Sequence, residues 1–157
     1  MKPLPEHGMC FVCGTENPNS IGIQWNVLED NSIFGEITLS AKQQGPPGHA
    51  HGGASAALLD EAMGAAVWQA GYMVLAVNLN INYRRPLPLG VQVQITAAVE
   101  RNEGRKVHAR SEICLRDGQV AAEGTGIFVE ATHMFSQFAE SYQAYQQNNP
   151  SSSEEAQ

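Results

Sequence analysis

Asp60 is the residue of this sequence whose type and position best suit acid–base or nucleophilic chemistry. It lies in an apolar run that predicts a helix over about residues 53–70, closed by Gly71. At about 100° per residue, Asp60 shares a helix face with Gly53 and Ala57, so other groups can approach the backbone closely there. A carboxylate on such a face needs a partner or a chemical role, because uncompensated burial is costly. Asp60 is therefore either a general base or nucleophile, or one half of a structural pair.

The tripeptide His51-Gly52-Gly53 stands where the predicted helix begins. The first N–H groups of a helix have no partner within it, and the helix dipole is positive there, so a carbonyl oxygen or oxyanion would be stabilised. Glycine also lets a substrate approach the backbone closely. The alternative is a tight turn into the helix from the irregular, Gly- and Pro-rich residues 43–50, with an exposed His51.

Three cysteines are too few for a disulfide framework. Cys10-x-x-Cys13 with His7 nearby amounts to half of a zinc site. No second pair follows, and Cys114 lies in a predicted strand. The sequence therefore predicts neither a metal site nor a cofactor.

Basic residues are concentrated in one part of an acidic chain. The net charge of −7 argues against a general nucleic-acid binder, so we expect no nucleic-acid partner. Between residues 84 and 116, however, seven basic residues stand against three acidic ones. Arg84-Arg85 and residues 101–106 suit phosphate binding through guanidinium groups, or form an ordinary solvated surface. Just before them, Asn78, Asn80 and Asn82 share one face of a predicted strand, as a solvated edge, a subunit interface or a polar ligand wall.

The elements that must position these residues are strands with a single long helix among them. Alternating apolar residues predict strands over 21–27, 33–39, 73–85, 91–99, 106–115 and 119–130. The order β-β-α-β-β-β-β predicts an α+β fold in which an antiparallel sheet wraps around the helix, because one helix cannot cover both faces of a sheet.

A chain of 157 residues is the size of one domain. We expect a lead-in over residues 1–20, the domain over 21–132, and a C-terminal part over 133–157. That last part is predicted to be a short helix over 133–145 and a disordered tail from Gln146. The sequence shows no signal-peptide run and no membrane-length apolar window, so we expect a cytoplasmic protein without a membrane partner.

Three blocks in the same order resemble a known family. They are Gly45-Pro46-Pro47-Gly48 with His51-Gly52-Gly53-Ala54 and Leu58-Leu59-Asp60, the run from Asn78 to Leu89, and Glu103-Gly104-Arg105-Lys106. Over about residues 10–131 the chain resembles the acyl-CoA thioesterases of the hotdog fold, of the phenylacetyl-CoA type. The lead-in Cys10-Phe11-Val12-Cys13-Gly14 is also similar to that of bacterial members.

The resemblance implies a hotdog fold, a homo-oligomer (a dimer or a dimer of dimers) with its active site at the subunit interface, and hydrolysis of an acyl-CoA thioester. It implies that Asp60 is the catalytic carboxylate, that the Gly53 amide polarises the thioester carbonyl, and that His51 shapes the loop. It also implies that CoA is contacted by Asn82, Arg84, Arg105 and Lys106.

The sequence departs from the family at one position. Relatives often carry Thr or Ser on the strand after the helix to orient the attacking water, and this chain has Ala76 there. Relatives also commonly carry an upstream Asn or Gln, which Gln44 matches with an offset of one residue. Gln44 or His49 is therefore the candidate to orient the water instead. Two functions remain open: an acyl-CoA thioesterase and a non-catalytic acyl-CoA-binding module. A hotdog hydratase is a weaker third, because no separate His/Asp pair resembles that family's motif.

Overall fold

The computed structural model describes residues 1–149 and consists of one antiparallel sheet with a long helix packed against it. Two short 3-10 turns, Ala41–Gln43 and Thr132–Met134, complete these elements. The strands are β1 (Lys2–Pro3), β2 (Trp25–Val27), β3 (Ile33–Thr38), β4 (Val74–Tyr83), β5 (Gln92–Glu103), β6 (Lys106–Cys114) and β7 (Val120–Glu130). The helices are α1 (Gly52–Gln69) and α2 (Phe135–Asn148).

The sheet has the order β1-β2-β3-β5-β6-β7-β4, with every neighbouring pair antiparallel. Strand β4, which follows α1 in the chain, crosses over to the far edge and pairs only with β7. This arrangement confirms the predicted α+β fold with an antiparallel sheet around one long helix.

One side of α1 packs against the sheet and forms the core. Strand β5 presents Val93, Ile95 and Ala97 to the helix on its buried face, as the period of two requires. The buried Ser111 of β6 donates a hydrogen bond of 3.1 Å to the Leu59 carbonyl, which fixes the helix to the sheet. The buried α1 residues are Ser55, Leu58, Leu59, Ala62, Met63, Ala66 and Val67.

The other side of α1, with Asp60, Glu61 and Gly64, is only half-buried. The composition of the helix predicts burial nearly all round, but one sheet covers only one side of it within this chain. The lead-in covers part of the remainder, and its residues Val12 and Cys13 join the hydrophobic core.

The first predicted strand is shorter than expected. Residues 21–24 are not strand, because the Ile21 and Gly22 amides bond instead to the carbonyls of Phe11 and Val12 in the lead-in, at 2.9 Å each. The two-residue strand β1, which pairs with β2, has no signal in the sequence.

The C-terminal helix is longer than predicted, because α2 runs to Asn148 and includes residues 146–148 of the expected tail. It is anchored through Phe135, whose ring meets that of Trp68 edge-on at 5.2 Å. The remainder of the predicted disordered tail, residues 150–157, lies outside the described residues. Neither α1 nor α2 combines the length and hydropathy that would let a helix cross a membrane.

The tight packing around Gly126, between α1 and the sheet, gives a test of this arrangement. A Cβ on Gly126 of β7 would lie 2.8 Å from the Phe128 ring and 3.3 Å from Met63 of α1. We expect Gly126→Ala to lower the free energy of unfolding by about 1–3 kcal/mol, the usual cost of overpacking. Urea unfolding at fixed protein concentration measures it.

Gly64→Ala is the matched control. A Cβ there meets only Phe128, at an ordinary 3.9 Å, and alanine favours a helix over glycine by about 1 kcal/mol. Its unfolding free energy should rise or stay unchanged, and equal losses in both variants would contradict the packing described for β7.

Candidate active site

Asp60 is a half-buried carboxylate on the side of α1 that the sheet leaves uncovered. No side chain of residues 1–149 forms a hydrogen bond or an ion pair with it, so the structural pair left open by the sequence is absent from that part of the chain. Burial raises the pKa of Asp60, and the neighbouring Glu61 carboxylate adds to the rise. The group is therefore more basic than an exposed aspartate, which suits proton transfer.

His51 caps the start of α1 with its side chain. Its Nδ1 accepts the Gly53 N–H at 2.8 Å, and its carbonyl accepts the Ala54 N–H at 2.9 Å. The Gly53 amide expected to polarise a substrate carbonyl is therefore already bonded to His51. A substrate oxygen can accept a hydrogen bond from this amide only if the His51 imidazole turns away.

Gln44 closes the loop that leads into the helix. Its side-chain oxygen accepts the Gly48 N–H at 3.1 Å, and the neighbouring Gln43 carbonyl accepts the His51 N–H at 2.7 Å. A Cβ on Gly45 would lie 2.7 Å from the Cα of His51, so only glycine allows the loop to pass so close to the helix start. The loop thus holds His51 in its capping position.

Gln44, His51 and Gly53 line one open cleft of about 630 Å³, whose opposite wall includes Phe11 and Ile21 from the lead-in. Asp60 is not among its lining residues. It lies seven residues after Gly53, about 10 Å further along the helix axis at the usual rise. Gly53 and Asp60 therefore share a helix, but Asp60 does not line the cleft that holds Gln44, His51 and Gly53.

Arg84 and Asn82 lie at the C-terminal end of β4. The Arg84 Nε donates to a Glu123 carboxylate oxygen at 3.2 Å, and Arg84 borders a second cleft of about 470 Å³ beside Gly52. Tyr83 joins this strand to the helix start, because its hydroxyl donates to the Gly52 carbonyl at 2.7 Å. Sequence reasoning assigned Tyr83 no role, although it closes the run of alternating asparagines.

Arg105 and Lys106 lie at the opposite end of the sheet from Arg84. The Arg105 carbonyl accepts the Glu130 N–H, whereas the Arg84 N–H bonds to the Ala121 carbonyl. From Ala121 to Glu130 is nine residues of β7, which corresponds to about 30 Å in an extended strand. Arg84 and Arg105 of one chain are therefore too far apart to bind the same part of one CoA molecule.

Strand β4 is an exposed edge of the sheet with apolar side chains. It pairs with β7 on one side only, and Val77 is 61% exposed beside a register shift between Ala76 and Asn78. Leu75 and Leu79 are 36% and 39% exposed. Such an edge is a template for pairing with a second strand, which favours the subunit interface among the alternatives for the asparagine face.

A second polar cluster lies beside α1. The sequence indicated its lead-in residues but not its residue on the helix. His7, Cys10 and Cys13 of the lead-in meet Glu61 of α1, with all four ligand atoms within 4.8 Å of one another. Burial and the Glu61 carboxylate raise the pKa of the Cys13 thiol. The Cys-x-x-Cys spacing was recognisable, but Glu61 follows Cys13 by 48 residues, and only the packing of the lead-in on α1 joins them.

The comparisons with known proteins agree on a family. Residues 47–122 match the family model described as Thioesterase superfamily. Acyl-coenzyme A thioesterase THEM4 from Xenopus laevis is 40% identical over 89 residues, covering 55% of this chain and 40% of the relative. THEM4 from Bos taurus is 39% identical over 124 residues, covering 76% of this chain and 50% of the relative. The chain thus spans half or less of the length of these relatives.

A crystal structure of a thioesterase superfamily protein has the same fold, with a TM-score of 0.76 and 36% sequence identity over 78% of this chain and 61% of that chain. The family model begins in the loop before α1 and ends within β7, so it spans α1, β4, β5, β6 and the start of β7. Because sequence match and fold agree over these same elements, this chain is similar in sequence to the thioesterase superfamily and has the hotdog fold.

Proposed function

We propose that this protein is an acyl-CoA thioesterase that hydrolyses an acyl-CoA to a carboxylic acid and CoA. The observation that carries the proposal is Asp60, a half-buried carboxylate without a side-chain partner in residues 1–149, on the central helix of a domain similar to the thioesterase superfamily. The THEM4 relatives are named acyl-coenzyme A thioesterases, which supports the substrate class.

In the proposed reaction Asp60 acts as general base or as nucleophile. As a base, it takes a proton from water while the water oxygen attacks the thioester carbon. The tetrahedral intermediate collapses with loss of the CoA thiolate, which then receives the proton, so that acid and free thiol are the products. As a nucleophile, Asp60 would attack the thioester carbon, form an anhydride with the acyl group and release the CoA thiolate. Water then hydrolyses the anhydride, which frees Asp60 and the acid and supplies the proton to the thiolate.

The Gly53 amide stabilises the oxyanion that forms on the thioester oxygen. Since His51 Nδ1 occupies this amide at 2.8 Å, substrate binding exchanges one acceptor for another. The helix start then supplies a donor for developing negative charge, with the positive end of the helix dipole behind it. Gln44, whose carboxamide oxygen bonds to Gly48, keeps its NH2 group to hold water or the acyl oxygen in the cleft.

We infer a dimer in which β4 pairs antiparallel with β4 of a second copy. The exposed apolar edge favours this pairing, and an antiparallel two-fold contact brings the C-terminal end of one β4 beside the N-terminal end of the other. Arg84 then approaches the partner's Arg105, three strand spacings away, or about 14 Å. One CoA can meet basic residues of both copies, with Asn82 and the partner's Lys106 beside them.

A cytoplasmic location accompanies this proposal. Cys10, Cys13 and Cys114 are all unbridged, and thiols persist in a reducing compartment.

Asp60→Asn tests the chemistry. The amide keeps the shape of the side chain but neither accepts the proton nor attacks, so kcat should fall by at least about 10²-fold, the usual contribution of a positioned base. Release of free thiol from short-chain, long-chain and aryl acyl-CoA substrates measures it. Asp117→Asn, the same change in an exposed turn, is the control and should keep the wild-type kcat.

Near-full turnover by Asp60→Asn would refute this role for Asp60. If the wild type binds acyl-CoA in calorimetry but releases no thiol from any of these substrates, the protein is a binding module. Ala76, which stands where relatives often carry a hydroxyl, favours that second function.

Single variants Arg84→Ala and Arg105→Ala test CoA binding across the dimer. Each should raise KM about tenfold at low salt, corresponding to about 1.4 kcal/mol, with a smaller effect on kcat, because phosphate contacts stabilise ground and transition states alike. Lys2→Ala, which removes a charge at the opposite sheet edge, should leave KM unchanged.

Mixing the two variants distinguishes a shared site from a site within one chain. A heterodimer of the two has one site with both arginines and one with neither, so refolding them together should restore a population with the wild-type KM. If every site used arginines of its own chain, the mixture would retain the raised KM throughout.

Val77→Lys tests the dimer edge. A lysine on this strand would bring like charges together across the two-fold contact, and we expect mainly monomer in light scattering coupled to gel filtration. Tyr145→Lys on α2 is the control, since that side chain is equally exposed at 61%, and it should keep the wild-type mass. A Val77→Lys protein with the wild-type mass would place the interface elsewhere.

A further inference from the structure

The lead-in and the central helix together form a cluster of four metal-ligating side chains. The Glu61 Oε1 lies 3.1 Å from the Cys13 Sγ, 3.4 Å from the Cys10 Sγ and 3.4 Å from the His7 Nδ1. The His7 Nδ1 is also 3.6 Å from the Cys13 Sγ. We propose that His7, Cys10, Cys13 and Glu61 bind one zinc ion, which departs from the sequence-based expectation of no metal.

The distances between the four atoms fit a tetrahedral zinc site. Bonds of about 2.3 Å to sulfur and about 2.0–2.2 Å to nitrogen and oxygen give edges of about 3.4–3.8 Å between ligand atoms. Four of the six edges measure 3.1–3.6 Å, and the other two are within 4.8 Å. The four measured edges therefore lie within about 0.5 Å of their tetrahedral values.

Backbone contacts within the lead-in stabilise the turn that carries both cysteines. The Val12 N–H points at the Cys10 Sγ, 3.4 Å away, and the Gly14 N–H closes the turn on the Cys10 carbonyl at 3.0 Å. A Cβ on Gly14 would lie 2.3 Å from the Gly8 carbonyl oxygen, so this position requires glycine. An N–H directed at a sulfur ligand is the kind of outer contact that orients metal thiolates.

The carboxylate of Glu6, which is not one of the four ligands, stabilises the same turn. The Glu6 Oε2 accepts the Gly8 N–H at 2.7 Å and the Thr15 N–H at 2.9 Å. The turn is thus held by hydrogen bonds that do not use the ligand atoms. This arrangement reduces the ordering cost that zinc binding would otherwise have to meet.

The donor set favours zinc over calcium and magnesium. Calcium and magnesium take oxygen ligands, whereas two thiolates with an imidazole and a carboxylate suit zinc. Zinc binds the cysteines as thiolates, so two protons leave to solvent when it binds. Four protein ligands fill the coordination sphere, which is typical of a structural site.

Zinc bound to these four residues would attach the lead-in to α1 at Glu61, the residue next to Asp60. The lead-in also supplies Phe11 and Ile21 to the wall of the cleft that contains His51 and Gly53. Zinc would therefore hold one wall of the candidate active site in place.

Metal analysis of the untagged full chain tests the site. Protein purified with a reductant from zinc-supplemented cells should contain one zinc per chain by plasma mass spectrometry. Replacing zinc with Co²⁺ should give thiolate-to-cobalt charge-transfer bands and the intense visible bands of tetrahedral cobalt. Chelator treatment should lower the Tm, and added Zn²⁺ should restore it.

Cys10→Ser and Glu61→Gln should each reduce zinc content and change the cobalt spectrum. Cys114→Ser is the matched control, since this third thiol lies outside the cluster, and it should keep one zinc per chain. Circular dichroism identifies any variant that has failed to fold, and His7→Ala, at an exposed side chain, is the least disruptive replacement. Wild-type protein with only trace zinc and no cobalt bands would overturn the proposal. Zinc retained equally by the ligand variants and Cys114→Ser would do so too.

Discussion

The sheet covers α1 on one side only, and much of the rest of the structure depends on that limit. Seven buried side chains hold the helix against the sheet, and Gly126 leaves room for Met63 of α1. The uncovered side keeps Asp60 half-buried, which raises its pKa while leaving the carboxylate within reach of water or substrate. Full enclosure would have required a partner for this group, as buried charges do.

The remaining surface of α1 is shared between the lead-in and open clefts. The lead-in crosses the helix at Glu61, where Cys10 and Cys13 make their contacts, and then forms a cleft wall at the helix start. At the helix start itself, the Gly53 N–H bonds to His51, so the best donor for a substrate carbonyl has an internal acceptor. In the proposed reaction, the substrate oxygen and the His51 imidazole compete for this one amide.

The crossover of β4 to the sheet edge separates two groups of basic residues. It places Arg84 and Arg105 about 30 Å apart along the sheet, although only 21 residues separate them in the chain. The same crossover leaves the apolar edge of β4 without a second neighbour. A second copy would satisfy the edge and bring the two basic ends together, so one topological feature links assembly to CoA binding.

The sequence by itself determined α1, strands β3 to β7, their order along the chain and the resemblance to a family. The strand and helix periods report on neighbours two to four residues away, and for that reason α1 and strands β3 to β7 were predictable. Signals at chain ends were weaker: β1 depends on its pairing with Trp25–Val27, and α2 runs three residues beyond its predicted end. Only the tertiary structure decided which polar groups meet. Glu61 joins the two cysteines, His51 takes the Gly53 amide and the arginines separate, because distances between elements depend on sheet order and on the path of the lead-in, which no local pattern encodes.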